Sequence, residues 1–236
     1  MLELKKISFY YEKNKMILKD LSLTIEKNSF SVIMGENGSG KSTLLMLLKG
    51  INNIRDGEYY FKGKKIISSG IRKSGFIPSI GFVFQDPDIQ IVGLDVRNDL
   101  EFGPLNLGWD DKKVHESVER VMLDCDIKHL ENKNPYLLSY GEKKRVSIAG
   151  ILAMEPEVLI LDEPTTWLDP WHKNQLKEIL FKQNGIGKTI ILSTHDMEFA
   201  KELNCNYIFI KNGSIIANGG IELFNDKELL KECKLL

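Results

Sequence analysis

Cysteine is scarce in this chain of 236 residues: Cys125, Cys205 and Cys233 are the full set, far apart and odd in number. Neither a disulfide framework nor a metal-ligand spacing emerges from them, which fits a reducing compartment. No apolar run comes near the roughly 20 residues that a membrane-spanning helix needs. The stretch Met1-Leu2-Glu3-Leu4-Lys5-Lys6 lacks the charged-then-apolar layout of a secretory signal. Neither sign of charge is in excess: 32 Lys and Arg stand against 33 Asp and Glu, a formal net charge of −1. That balance argues against bulk nucleic-acid binding and against a polybasic membrane anchor. Internal repeats, low-complexity tracts and long linkers are also missing. The expectation is a soluble protein that works at a membrane, if at all, by docking on a partner. Its hydrophobic content of 42% is enough to build a core.

The pattern along the chain alternates between two periods. Strands are predicted at 2–9, 18–25, 30–34 and 80–84, and a hairpin at 58–61 and 65–67 around Lys62-Gly63. Helical spacing predicts helices over 44–48, 95–102, 111–123 and 142–154. Asp169-Pro170 reads as a helix start, with Asp as N-cap and Pro at the first helical position. Strands follow at 158–161, 189–192 and 207–210, with a helix at 197–203 and a hairpin turn at Asn212-Gly213. This order argues for one α/β domain over 1–236. Its core is 1–85 with 156–236, a helical subdomain occupies 86–155, and the N-terminal strands form an antiparallel edge.

The most specific motif is Gly35-Glu36-Asn37-Gly38-Ser39-Gly40-Lys41-Ser42-Thr43. It follows an apolar strand and opens a helix, the context that makes G-x-x-x-x-G-K-[ST] a phosphate-binding loop. Glycines let the backbone curl until successive N–H groups point inward as an anion nest. The helix starting near Lys41 turns its positive dipole end to the same anion. Lys41 should reach the β- and γ-phosphates, and the Ser42 hydroxyl should ligate Mg²⁺. The alternative, a Gly-rich turn matching by chance, does not account for the strand before it and the helix after it.

Other candidates gather at strand ends. Val158 to Leu161 is an apolar run that terminates in Asp162 and Glu163. Asp162 is a candidate Mg²⁺ ligand, and Glu163 a candidate general base for an attacking water. A pair of solvated surface acids is the alternative. His195 follows the strand at 189–192 through Ser193-Thr194, where α/β sheets collect ligand-binding groups. Gln85 ends the strand at 80–84, and its amide oxygen can reach a metal or a water; alone it is no better than an exposed Gln. Ser139 and Gly141 precede a helix, where they suit an anion site or an ordinary capping box with Glu142. Phe9-Tyr10-Tyr11 can offer an aromatic face to a nucleotide base, although aromatics near a strand are more often core.

Taken together, these motifs resemble the nucleotide-binding subunit of ATP-binding cassette (ABC) transporters, from end to end. The resemblance runs through the phosphate loop at 35–43, the Gln85 loop, the signature at 138–142 and the acidic strand at 158–163. It continues through Thr166-Trp167-Leu168-Asp169 and His195. It implies a P-loop NTPase fold of ABC type, ATP and Mg²⁺ as cofactors, and ATP hydrolysis coupled to transport. It also implies Tyr11 stacking on adenine and Asp169 in a loop that communicates across a dimer. Such subunits pair head to tail, each ATP lying between one protomer's phosphate loop and the other's signature. They sit peripherally at the cytoplasmic face of the membrane, held there by transmembrane subunits.

Residues 84–88 with Gln90, followed by Asp95 to Gly108, look like the ATPases of energy-coupling factor importers of cobalt, nickel or vitamins. So does the tail from Glu222 to Leu230. The signature departs from the usual Leu-Ser-Gly-Gly-Gln: Tyr140 replaces the first Gly and Glu142 the Gln. A side chain at Tyr140 is expected to make close backbone approach or φ > 0 costlier, by about 1 kcal/mol or more, and Glu142 adds a negative charge near a phosphate-binding helix end. The resulting expectation is a weakened but not abolished trans contact, in a homodimer or in a heterodimer with two unequal ATP sites. A DNA- or translation-related ATPase of the same superfamily is the rival reading. No heptad run lies between the phosphate loop and the signature, and only one cassette is present, which disfavours it. A module that senses ATP without hydrolysing it is disfavoured by Glu163 and His195.

Overall fold

The computed structural model describes residues 1–13, 15–66, 77 and 79–236. In chain order its main elements are β1 (Leu2–Tyr10), β2 (Met16–Ile25), β3 (Phe30–Met34), α1 (Lys41–Lys49), β4 (Asp56–Phe61), β5 (Lys64–Lys65) and β6 (Ile80–Val83). Then come α2 (Val96–Asn106), α3 (Asp111–Asp124), α4 (Tyr140–Ala153), β7 (Val158–Leu161), α5 (Pro170–Gly185) and β8 (Thr189–Thr194). The chain ends with α6 (Met197–Leu203), β9 (Asn206–Lys211), β10 (Ser214–Gly219) and α7 (Lys227–Glu232). It divides into two compact units, Met1–Ile77 with Gly187–Leu236, and Pro78–Ile186. Among the described residues, no helix is long and apolar enough to cross a membrane.

The first unit holds an antiparallel sheet in the order β2-β1-β4-β5. Its buried residues Leu2, Leu4, Ile7 and Phe9 change parity between positions 4 and 7. A bulge absorbs the change: the register with β2 shifts there, and Lys6 takes φ 51°. Beside that sheet, β3 lies between two parallel neighbours, β8 and β9, and β10 closes on β9 in antiparallel fashion. Every residue of β3 is buried, which is why the run from Phe30 to Met34 shows no polar alternation. Asn212 (φ 49°) and Gly213 (φ 83°) turn β9 into β10, as the Asn-Gly dipeptide predicts.

The second unit pairs β6 with β7 in parallel, Val83 opposite Leu161. Helices α2, α3 and α4 pack on one another, with Val96, Leu100, Val118, Met122, Val146 and Ile148 fully buried. The expected helix over 95–102 is longer: Asp95 is its N-cap, accepting from Asn98 N–H at 2.8 Å, and the helix continues through Pro104 to Asn106. The helix expected from 142 begins at Tyr140, because Ser139 caps it. Asp169 caps α5 through His172 N–H at 2.9 Å with Pro170 at the first position, as the sequence indicates. The hairpin strand expected at 65–67 appears as Lys64–Lys65, and Ile67 lies outside the described residues.

Candidate functional site

In the first unit, the loop from Gly35 to Gly40 leaves the end of β3 and enters α1. Gly38 (φ 81°) and Gly40 (φ 109°) take left-handed conformations. These are open to glycine and costly for other residues, so the curl depends on those two positions. Gly35 is required for a different reason. A Cβ there would fall well inside 3.0 Å of the Ile210 main-chain oxygen, so the loop lies hard against β9. The loop is tied again by Gly213 N–H donating to Ser39 O at 2.9 Å.

Lys41 is 5% exposed, and its Nζ donates to Gly35 O (2.8 Å) and Glu36 O (3.2 Å). The ammonium is thereby drawn back over the loop. Among the described α-helices, α2 to α7 all begin with an Asp or Ser side chain accepting a first-turn N–H. Only α1 begins on a glycine with no side-chain cap. Its positive end is therefore left to an incoming anion. The Ser39 hydroxyl is buried with no hydrogen-bond partner, one more group suited to a phosphate oxygen.

Two further predicted residues come to this loop. Tyr11 is 56% exposed, and its hydroxyl lies 3.4 Å from Thr43 Oγ1, with Asn52 Nδ2 donating to it at 3.1 Å. Phe9 supports its ring edge-on at 4.9 Å. His195 is reached through register: Met34 at the end of β3 pairs with Thr194 at the end of β8, so Gly35 and His195 open neighbouring loops. The His195 side chain is exposed. Asp196 next to it caps α6 through Phe199 N–H at 3.0 Å. One contact was not foreseen: Lys234, in the turn after α7, pairs with Glu36 of the loop at 2.6 Å. Leu230 and Cys233, both buried, fix the segment that carries it.

In the second unit, β7 delivers Asp162 and Glu163, each 5% exposed. Asp162 N–H donates to Val83 O at 3.0 Å, continuing the ladder one residue beyond the strand. At Glu163 the backbone turns into the left-handed region (φ 42°). That turn frees the two carboxylates from strand alternation, at a cost of order 1–3 kcal/mol that surrounding structure must hold in place. Trp167, a few residues on, shares the left-handed conformation (φ 64°) and is 81% exposed. Among the described residues no cluster of three or more His, Cys, Asp or Glu side chains forms a metal cage. A lone carboxylate such as Asp162 suits an ion that keeps waters and substrate phosphates as its other ligands, which is the habit of Mg²⁺.

The signature segment differs from expectation at one point. Tyr140 is the first residue of α4 and is absent from the left-handed residues, so the expected φ penalty does not arise. The close approach falls on Gly141 instead, where a Cβ would meet the His172 ring. Ser139 and Glu142 form a complete capping box: Ser139 N–H and Oγ both reach Glu142 Oε2 at 2.8 Å. The Ser139 hydroxyl, with help from its N–H, holds the Glu142 carboxyl below its ordinary range.

Tyr140 Oη donates to Gln85 O at 3.1 Å, and Lys144 Nζ donates to Gln85 O as well. Lys144 is 1% exposed, and burial pushes its ammonium down to about 8, while Asp86 and Asp162 act the other way. Sequence reasoning passed over Lys144. The signal was its place on the buried stripe Gly141, Lys144, Ile148 and Leu152, where a lysine is out of pattern.

Comparison with known proteins agrees with this geometry. The profile described as ABC transporter matches residues 18–166. The "Energy-coupling factor transporter ATP-binding protein EcfA2" of Methanospirillum hungatei is 42% identical over 236 residues, all of this chain; the chain spans 59% of that relative's length. The structure of cbiO1 from Clostridium perfringens, described as part of the ABC transporter complex cbiONQ, superposes with a TM-score of 0.87. It is 36% identical, with 99% of this chain and 94% of that one covered. A dimeric ATP-binding cassette in a post-hydrolysis state, bound to ADP and Pi, gives a TM-score of 0.82 at 28% identity, covering 94% of this chain and 99% of its own. The chain has the ABC-type P-loop NTPase fold and belongs to the ABC transporter family, among relatives that include ATP-binding proteins of energy-coupling factor transporters.

Proposed function

We propose that this chain is the ATP-hydrolysing subunit of a membrane import complex of the energy-coupling factor type, with a metal ion or a vitamin as cargo. The observation that carries the reading is α1: a capless helix end fed by a left-handed glycine loop with a buried lysine folded over it. On binding a triphosphate, Lys41 exchanges its two main-chain acceptors for β- and γ-phosphate oxygens. Gly35 to Thr43 supply N–H groups, and Tyr11 stacks on the base. Ser42, Gln85 and Asp162 would hold Mg²⁺, which when bound would neutralise charge on the transferred phosphoryl group. Glu163 accepts the proton of the attacking water, and His195 contacts the γ-phosphate and that water.

The chain acts as one domain, with 1–85 and 156–236 as the nucleotide-binding core and 86–155 as the helical subdomain. Two such chains, or this one and a homologue, pair head to tail. Ser139 and Gly141 of each then meet the ATP of the other, and Asp169 lies in the communicating loop. Closure on ATP and opening after hydrolysis move transmembrane subunits docked near the Gln85 loop, so the protein is peripheral to the membrane. Exposed apolar side chains on the described residues around that loop, Ile89 (66%), Val92 (56%) and Leu94 (86%), support docking there.

Glu163→Gln tests the assignment. Loss of a general base predicts a fall in phosphate release of roughly 10²–10⁴-fold, with an ATP-bound dimer accumulating in size-exclusion chromatography. Equal turnover by wild type and variant contradicts the role of Glu163.

A further inference from the structure

The main chain at Gln85 is held from α4 by two side chains. Tyr140 Oη and Lys144 Nζ both donate to Gln85 O, and Lys144 Nζ also reaches Phe84 O at 3.3 Å. Gln90 bridges the same two elements: its Oε1 accepts Phe84 N–H at 3.0 Å, and its Nε2 donates to Ser147 O at 2.8 Å. Lys143 Nζ pairs with Asp88 at 2.7 Å. A lysine as buried as Lys144 is costly to keep charged, and here its ammonium reaches main-chain carbonyls at a bend.

We infer that Tyr140 and Lys144 are positioning residues that make the Gln85 segment and the N-terminus of α4 one mechanical element. The inference rests on the function proposed above, and it deepens that function. In that reading Gln85 serves the nucleotide of its own protomer, and the N-terminus of α4 serves the nucleotide of the other. A rigid link between them makes each ATP sensitive to the other, so hydrolysis is cooperative in ATP. Tyr140, at the first position of α4, thereby acts as a coupling residue. A phenylalanine at 140 keeps the ring and removes only the bond to Gln85 O.

Two measurements test the link. Without nucleotide, amide hydrogen exchange over residues 84–90 is expected to quicken about ten-fold in Tyr140→Phe and in Lys144→Met, as local opening becomes easier. With nucleotide, the ATP dependence of hydrolysis by the purified complex is expected to show a Hill coefficient of about 1.5–2 for wild type, falling toward about 1 in both variants. A merely structural role would lower turnover or melting temperature and leave the Hill coefficient where it was. Unchanged exchange at 84–90 in both variants overturns the link itself. Faster exchange with an unchanged Hill coefficient, or a wild-type coefficient of about 1, overturns the coupling. Absence of ATP hydrolysis in wild type, with the exchange effect intact, overturns the proposed function and leaves the mechanical link standing.

Discussion

Gly35 and Gly38 belong to one loop, and the structure assigns them different tasks that alanine can separate. A Cβ on Gly35 meets the main-chain oxygen of Ile210 and also the Ser39 hydroxyl, and the former cannot swing aside. Forcing an extra carbon into such packing costs about 1–3 kcal/mol. The φ of 155° adds strain that glycine alone escapes, so a total of about 3 kcal/mol is expected. A Cβ on Gly38 meets nothing within 4 Å, so only the left-handed backbone opposes it, at about 1 kcal/mol. At 2–4 °C per kcal/mol for a chain of this size, Gly35→Ala lowers the melting temperature by about 6–12 °C and Gly38→Ala by about 2–4 °C. Differential scanning calorimetry without nucleotide makes the comparison. Adding MgATP should then raise the wild-type transition by mass action and raise Gly38→Ala less, since its loop tip is reshaped. Equal melting temperatures for the two variants, or a larger loss at Gly38, would refute the view that Gly35 packs the loop on β9 while Gly38 shapes its tip.

Two other outcomes follow from the buried charge of Lys144 and the paired charge of Lys234. Burial holds the folded-state value of Lys144 at about 8 against 10.5 for an ordinary lysine. Between those values the unfolded chain binds more protons, so the destabilisation present below pH 8 fades as pH rises toward 10.5. Wild-type stability minus that of Lys144→Met, from urea midpoints at pH 7.5 and pH 10, should therefore grow with pH by about 2 kcal/mol; parallel pH curves would contradict it. Lys234→Ala leaves the Glu36 carboxylate uncompensated beside the phosphate loop. It should weaken ATP binding about two- to five-fold at low salt, an effect that disappears in 1 M salt. Persistence of the loss in Glu36→Gln/Lys234→Ala relative to Glu36→Gln would show that charge is not the cause.

Much of the molecule was legible in its residues because local physics decided it. The stretch 30–34 is apolar apart from Ser31 because every residue of β3 is buried, and Asp169-Pro170 starts α5 because both residues suit that place and little else. The phosphate loop was legible for the same reason: its glycines answer to backbone geometry within a few residues. Legibility failed where the cause lay far away in the chain. The bulge at Lys6 depends on packing with a strand distant in sequence, and the ordinary helical backbone of Tyr140 was missed although the Ser139–Glu142 capping box that starts α4 was readable. The Lys234–Glu36 pair joins residues at opposite ends of the sequence. Lys144 was hidden by its own chemistry: a charged residue in a helix is taken as solvent-facing until the carbonyls it reaches are located.

The central claim, that the loop at residue 41 binds a triphosphate, is tested most directly by calorimetric titration of MgATP into the intact chain. The account predicts saturable heat at one nucleotide per chain, with affinity falling at least about ten-fold in Lys41→Ala, the loss expected when a charged hydrogen bond to phosphate is removed. No heat of association with wild type, or equal affinity for wild type and Lys41→Ala, would contradict it.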